Sequence, residues 1–193
     1  MNITIYCGAL SGANPEYEKK ARELGAWMAE NGHTLVYGAG DAGMMGAVSD
    51  GILENGGKAI GVTPNFFVLA EVTRDDLTEL IVPDDMPERR VKMMELGDAF
   101  IALPGGTGTL DEIAEVIALK RLGKLGEIDK PIMIYNVDGY YDKLFEFFDD
   151  MADNEFCRRE DRDYIIEVKC IEDIARVMEN AGGIDENRNM QFV

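Results

Sequence analysis

The chain has 193 residues, 46% of them hydrophobic, which is enough for one sizeable core and predicts a single domain. Its formal charge of -18, from 37 acidic and 19 basic residues, argues against wrapping a nucleic-acid backbone, because such binding draws on clustered Lys and Arg. No apolar run approaches the length of a membrane span, and Met1 to Cys7 lacks the basic flank and long apolar stretch of a signal peptide, so a cytoplasmic location is expected.

Short β-branched or apolar runs alternate with helical patterns along the chain. A strand at Ile3 to Cys7 leads into a helix over Pro15 to Glu30, where Pro15 suits the first turn and Asn14 can cap it. Thr34 to Tyr37 is the next strand, followed by a helix at Met44 to Asn55 and a strand at Ala59 to Val62. Leu80 to Val82, a helix at Pro87 to Leu96 and the apolar run Ala99 to Leu103 come next. The helix placed at Leu110 to Lys120 carries Leu110, Ile113, Ala114 and Ile117 at i, i+3, i+4 and i+7, one stripe for packing on a sheet. Strands at Ile132 to Tyr135 and Tyr164 to Val168 and helices at Tyr141 to Asp153 and Ile171 to Asn180 complete the series. This rhythm predicts an α/β, Rossmann-like doubly wound fold, a mostly parallel sheet of about seven strands flanked by helices. Residues 1–182 read as one nucleotide-binding domain and 183–193 as a polar tail.

In such sheets ligands sit beyond the carboxyl ends of the strands, so the loops after the strands carry the interest. Three are rich in glycine and small residues: Gly8 to Gly12, which includes Ser11; Gly38 to Gly46; and Pro104 to Thr109. Glycine lets backbone N–H groups approach a phosphate closely, and the helix that follows adds unpaired N–H groups and a positive dipole end. All three loops could serve one anion site. The second fits G-x-G-x-x-G through Gly38, Gly40 and Gly43, but the strand that follows it lacks the acidic residue that would hold a ribose, which counts against NAD or FAD. A P-loop ending in Gly-Lys-Ser/Thr is absent. Three scattered cysteines, Cys7, Cys157 and Cys170, and the single histidine His33 indicate neither a disulfide framework nor a metal site.

The third loop is the most informative. Glu112 stands three residues after Thr109, so one reading is a capping box in which the two side chains satisfy each other's exposed N–H groups. The other is that Thr109 and the loop amides hold phosphate while Glu112 points into the cleft. Arg89, near the start of the preceding helix, could grip a phosphate with two parallel hydrogen bonds, or pair at the surface with Asp84, Asp85 or Glu88. Met44, Met45, Met86, Met93 and Met94 could pack the core or a subunit interface, or line a base pocket.

The run P-G-G-x-G-T-x-x-E from Pro104 to Glu112, the segment Asp85-Met86-x-x-Arg89, Cys7-Gly8 with Ser11-Gly12 and Asn14 to Tyr17, and Asn136 to Tyr141 together resemble the LONELY GUY proteins, long labelled "possible lysine decarboxylase". The resemblance covers nearly the whole chain. It implies a phosphoribohydrolase that cleaves the N-glycosidic bond of a cytokinin nucleoside 5′-monophosphate or AMP, giving base and ribose 5-phosphate, with no cofactor and as a homodimer. By resemblance Arg89 and Glu112 are catalytic, Gly105, Gly106, Thr107, Gly108, Thr109 and Asp111 bind phosphate, and Glu71, Arg90, Ser11 and Gly12 contact substrate. Pro87, Ala39 and Ala118 depart from the family pattern, which has histidine, glycine and, in plant members, threonine there. Two other classes of function stay open at this stage: a non-catalytic carrier of nucleotide or molybdenum cofactor, and a decarboxylase, which would need a Schiff-base lysine for pyridoxal phosphate.

Overall fold

The computed structural model describes residues 1–69, 73–126 and 130–182. Among these, seven strands form one parallel sheet: β1 (Asn2–Tyr6), β2 (Thr34–Tyr37), β3 (Lys58–Val62), β4 (Glu79–Ile81), β5 (Ala99–Ala102), β6 (Ile132–Tyr135) and β7 (Ile165–Val168). The helices are α1 (Pro15–Glu30), α2 (Gly43–Glu54), α3 (Asn65–Leu69), α4 (Met86–Leu96), α5 (Thr107–Arg121), α6 (Asp142–Asp153), α7 (Arg159–Arg162) and α8 (Ile171–Gly182). The tail expected at 183–193 lies outside the described residues.

The strand order is β4-β3-β2-β1-β5-β6-β7. The chain winds outward from β1 through β2, β3 and β4, then crosses back to β5 and winds the other way. The reversal between β1 and β5 opens a crevice beyond their carboxyl ends, the place where α/β sheets of this kind bind ligands. Both faces of the sheet are covered, which is why its strands read as continuous apolar runs. One face packs Ile3, Ile5, Leu35, Tyr37, Ile101 and Met133 against Leu24 and Met28 of α1, Val48 and Ile52 of α2 and Ile174 of α8. The other packs Tyr6, Val36, Phe100, Ile132 and Ile134 against Met93 of α4, Ile113 and Val116 of α5 and Phe145 of α6.

Local chemistry sets the helix ends. Asn14 caps α1 by accepting from the Glu16 N–H at 3.0 Å, with Pro15 in the first turn, as expected. Asp85 caps α4 by accepting from Glu88 N–H at 2.8 Å, and the Glu88 carboxylate accepts from Asp84 N–H at 2.7 Å. These acidic residues fasten the start of α4, so the surface pairing of Arg89 with them does not form. Helices α1 and α2 meet backbone to backbone. A methyl group on Gly25 would lie 2.3 Å from the Val48 carbonyl oxygen, and one on Gly51 would lie 2.1 Å from that of Arg22.

Candidate active site

At the β1/β5 reversal lies a cleft of about 840 Å3, walled by the loops after β1, β2 and β5 and by the first turns of α4 and α5. It brings together nearly all the residues singled out from the sequence. Ser11, Gly12, Arg89, Arg90, Gly105, Gly106, Thr107, Gly108, Thr109, Asp111 and Glu112 all border it. Glu71 lies outside the described residues.

Arg89 extends from the first turn of α4 into the cleft floor and is only 9% exposed. Its Nε donates to the Val62 carbonyl at 2.9 Å, and its Nη1 donates to Glu112 Oε1 at 2.7 Å. The remaining guanidinium nitrogen lies over Gly38, where a Cβ would come within 2.3 Å of it. Gly38 therefore makes room for the arginine. The G-x-G-x-x-G pattern of that loop has a steric meaning here that owes nothing to a dinucleotide. Glu112 is largely, not fully, buried beside this cation. Burial raises its pKa above the ordinary 4.5, and the charge and hydrogen bond of Arg89 offset part of that rise.

The capping box, one of the two readings of Thr109 and Glu112, is not formed. Helix α5 starts at Thr107 with Gly106 as its cap, and no side chain closes that cap. Thr109 is thus already in the first turn, 3% exposed, with its hydroxyl packed where a Cβ on Gly105 would come within 2.2 Å. The earlier start leaves the N–H groups of the first turn directed at the cleft without intrahelical acceptors, together with the positive end of the helix dipole. An anion could take the place that a capping side chain would otherwise fill.

Arg90 faces α5 rather than the cleft floor. Its Nη1 bonds Asp111 at 3.3 Å, and its Nε lies 2.9 Å from Glu115 Oε2, at ion-pair distance but without hydrogen-bond alignment. It fastens α4 to α5 at the rim. Cys7 lies in the floor, and burial pushes its thiol pKa well above the ordinary range, so it is a neutral packing group near pH 7. The methionines serve two ends. Met94 packs in the core, whereas Met44, Met45, Met86 and Met93 border the cleft, Met44 and Met93 being nearly inaccessible to solvent.

Several cleft residues carried no signal of their own in the sequence. Thr63 follows β3, Tyr17 comes from α1, and Tyr140 comes from the turn after β6. Tyr17 and Tyr140 meet edge to face with ring centres 5.5 Å apart. Tyr17 and Tyr140 belong to the Asn14 to Tyr17 and Asn136 to Tyr141 segments, so the segments were visible but the roles of their tyrosines were not. The loop after β2 is held from behind. Arg74 N–H donates to the Ala39 carbonyl at 2.9 Å, while the Arg74 side chain bonds Ser49, Asp50 and Asp76. Ala39 itself has φ 64, a left-handed conformation that glycine adopts far more readily.

A family model described as "Possible lysine decarboxylase" matches residues 45–178. The cytokinin riboside 5′-monophosphate phosphoribohydrolase LOG of Oryza sativa subsp. japonica is 41% identical over 164 residues, 85% of this chain and 66% of that protein. LOG7 of Arabidopsis thaliana, of the same name, is 38% identical over 177 residues, 92% of this chain and 80% of that protein. The rice relative LOGL6 is 40% identical and is covered over 64% of its length. Among solved structures, the molybdenum cofactor binding protein of Rippkaea orientalis superposes with a TM-score of 0.70 at 23% identity, covering 93% of this chain and 95% of that one. The molybdenum cofactor carrier protein of Chlamydomonas reinhardtii gives 0.65 at 19% identity, covering 93% and 96%. At such identities these two report on the fold. With a family model across most of its length and relatives near 40% identity, the chain belongs to the LONELY GUY family.

Proposed function

We propose that this chain is an N-glycosyl hydrolase acting on a purine nucleoside 5′-monophosphate, of cytokinin type or AMP, and releasing free base and ribose 5-phosphate. The observation that carries this reading is the hydrogen-bonded pair of buried Arg89 and largely buried Glu112, in one cleft with an uncapped, glycine-lined helix start. The first-turn amides of α5 and the Gly105–Gly106 segment take the phosphate. That anchors the ribose with its anomeric carbon toward Glu112. Breaking the glycosidic bond builds positive charge on the ribose. An ionised Glu112 stabilises that charge and orients or deprotonates the attacking water. Arg89 keeps the carboxylate ionised and fixed, and it assists the charge that develops on the departing base. The names of the relatives agree with this chemistry.

Pyridoxal phosphate chemistry, implied by the description of the family model, does not fit the residues. Among the described residues no lysine borders the cleft, so none is placed to form a Schiff base there. Incubation with AMP and with isopentenyladenosine monophosphate, followed by chromatography of the bases, tests the proposal. Intact nucleotides at high protein concentration would overturn it, and thermal stabilisation by nucleotide without product would assign the cleft to a carrier instead. We also propose a cytoplasmic location and a homodimer; the exposed Val91 on α4 and Leu110 on α5 support the dimer alone, and a monomeric mass in solution refutes it.

A further inference from the structure

Four successive carbonyl groups ahead of α5 are each engaged by a donor. Leu103 O accepts from the Tyr141 hydroxyl at 2.7 Å, and Pro104 O accepts from Gly8 N–H at 3.1 Å. Gly105 O accepts from the Tyr140 hydroxyl at 2.6 Å, and Gly106 O accepts from Leu110 N–H at 3.1 Å. In a trans peptide the C=O and the N–H that follows it point in opposite directions. Fixing each carbonyl therefore fixes the direction of the next amide hydrogen.

Three of these four bonds are made by backbone groups or by a buried tyrosine. The third, from Tyr140, is made at the cleft rim by a ring that is 43% exposed. It acts on the peptide that most needs a constraint. Gly105 and Gly106 carry no side chains to resist rotation of the plane between them, and a Cβ on Gly106 would meet nothing within 4 Å. The Tyr140 ring is itself well fixed. It stands edge-on to Tyr17 at 5.5 Å and to Tyr141 at 4.7 Å. The turn that carries it, Val137–Gly139, has Asp138 at φ 50, and the Asp138 carboxylate accepts from Asn14 Nδ2 at 2.8 Å.

We propose that Tyr140 is a positioning residue for the phosphate. Its hydroxyl locks the Gly105–Gly106 peptide so that the Gly106 N–H joins the first-turn amides of α5 in a single row of donors. The proposal rests on reading the cleft as a phosphate site. Tyr140→Phe keeps the ring and both aromatic contacts while removing the latch. Calorimetric titration of the variant with ribose 5-phosphate, and with AMP in a Glu112→Gln background that does not turn it over, is expected to give Kd values about three- to tenfold weaker than the matching protein with Tyr140 intact, the range of one net hydrogen bond. Affinity for adenosine, which lacks the phosphate, is expected to stay unchanged. In turnover of AMP, KM rises by the same factor while kcat holds; a merely structural role would instead distort the cleft as a whole, lowering kcat and weakening adenosine equally. Independently of any variant, the Gly106 amide resonance of the wild type is expected to move downfield on titration with inorganic phosphate. An unmoved Gly106 amide, or phosphate affinities unchanged in Tyr140→Phe, overturns this proposal alone. Wild-type protein that binds none of the phosphorylated ligands overturns the reading of the cleft, and the proposal with it.

Discussion

Gly38→Ala separates the stability of the fold from the placement of Arg89. Gly38 does not have a left-handed φ, so alanine is conformationally acceptable there, and its effect is steric. The new methyl carbon would lie 2.3 Å from Arg89 Nη2 and 3.1 Å from the Met45 sulfur. To reach ordinary contact the guanidinium must retreat by about 1 Å. It is held by Val62 O at 2.9 Å and Glu112 Oε1 at 2.7 Å, so the retreat stretches one or both bonds. A bond to a charged group contributes roughly 1.5–3 kcal/mol, and a 1 Å misplacement at a reacting centre costs on the order of a hundredfold in rate. The two figures agree, since a hundredfold is about 2.7 kcal/mol. The variant is therefore expected to fold, to melt less than about 10 °C below wild type, and to lose about two orders of magnitude in kcat/KM for base release from AMP. Circular dichroism melts paired with steady-state kinetics provide the assay. A folded Gly38→Ala protein with wild-type kcat/KM would show that Arg89 does not depend on the space that Gly38 leaves.

Glu112→Gln retains an acceptor for Arg89 but carries no charge, so it should bind AMP and lose turnover by about a hundredfold or more; undiminished turnover would leave Glu112 a packing role only. Because burial raises the Glu112 pKa, the acid limb of wild-type kcat/KM should fall at a pH above 4.5, and a limb below that value contradicts the assignment. The same raised pKa means that the folded state holds the Glu112 proton more tightly than the unfolded state. Its contribution to stability is complete below the unfolded pKa and is lost as pH rises through the folded one. Calorimetric melts should therefore show the Tm of Glu112→Gln gaining on wild type as pH rises above 4.5, and a difference that stays flat refutes this. Ala39→Gly relieves roughly 1–2 kcal/mol of left-handed strain but gives up about 0.8 kcal/mol of methyl burial and adds unfolded-state freedom. Its net change should be within about 1 kcal/mol, a few degrees in Tm, and a larger loss would mean that the methyl over Gly61 packs better than its size implies. Gly51→Ala should destabilise by about 1–3 kcal/mol or more, because the group it strikes is the Arg22 carbonyl and cannot swing aside; an unchanged denaturation midpoint would disprove the close crossing of α1 and α2.

The strands were legible because both faces of the sheet are buried, and runs such as Ala99 to Leu103 advertise that directly. Helices α3 and α7 were missed: with five and four residues they are too short to show a period. The start of α5 was misplaced by three residues for an instructive reason. A Thr-x-x-Glu spacing ordinarily marks a helix start, but here Gly106 opens the helix and Glu112 is drawn away to Arg89, which lies on another helix. Local propensity cannot report a partner 23 residues distant. Gly38 and Tyr140 failed for the same cause. Each acts on a group brought near only by the fold: Gly38 by leaving space for a guanidinium, Tyr140 by reaching a carbonyl 35 residues away.

The seam between α1 and α2, where Gly25 and Gly51 admit the opposing backbone, has a consequence for ligand entry. The loop after β1 leads into α1 and the loop after β2 leads into α2. The two loops also touch: a Cβ on Gly43 would strike the Ala9 carbonyl oxygen at 2.4 Å. Neither helix can slide without carrying the other, so this half of the cleft is preorganised. A ligand that docks against it gives up little conformational entropy of the protein. Free energy that would otherwise go into ordering a wall remains available to discriminate one base from another.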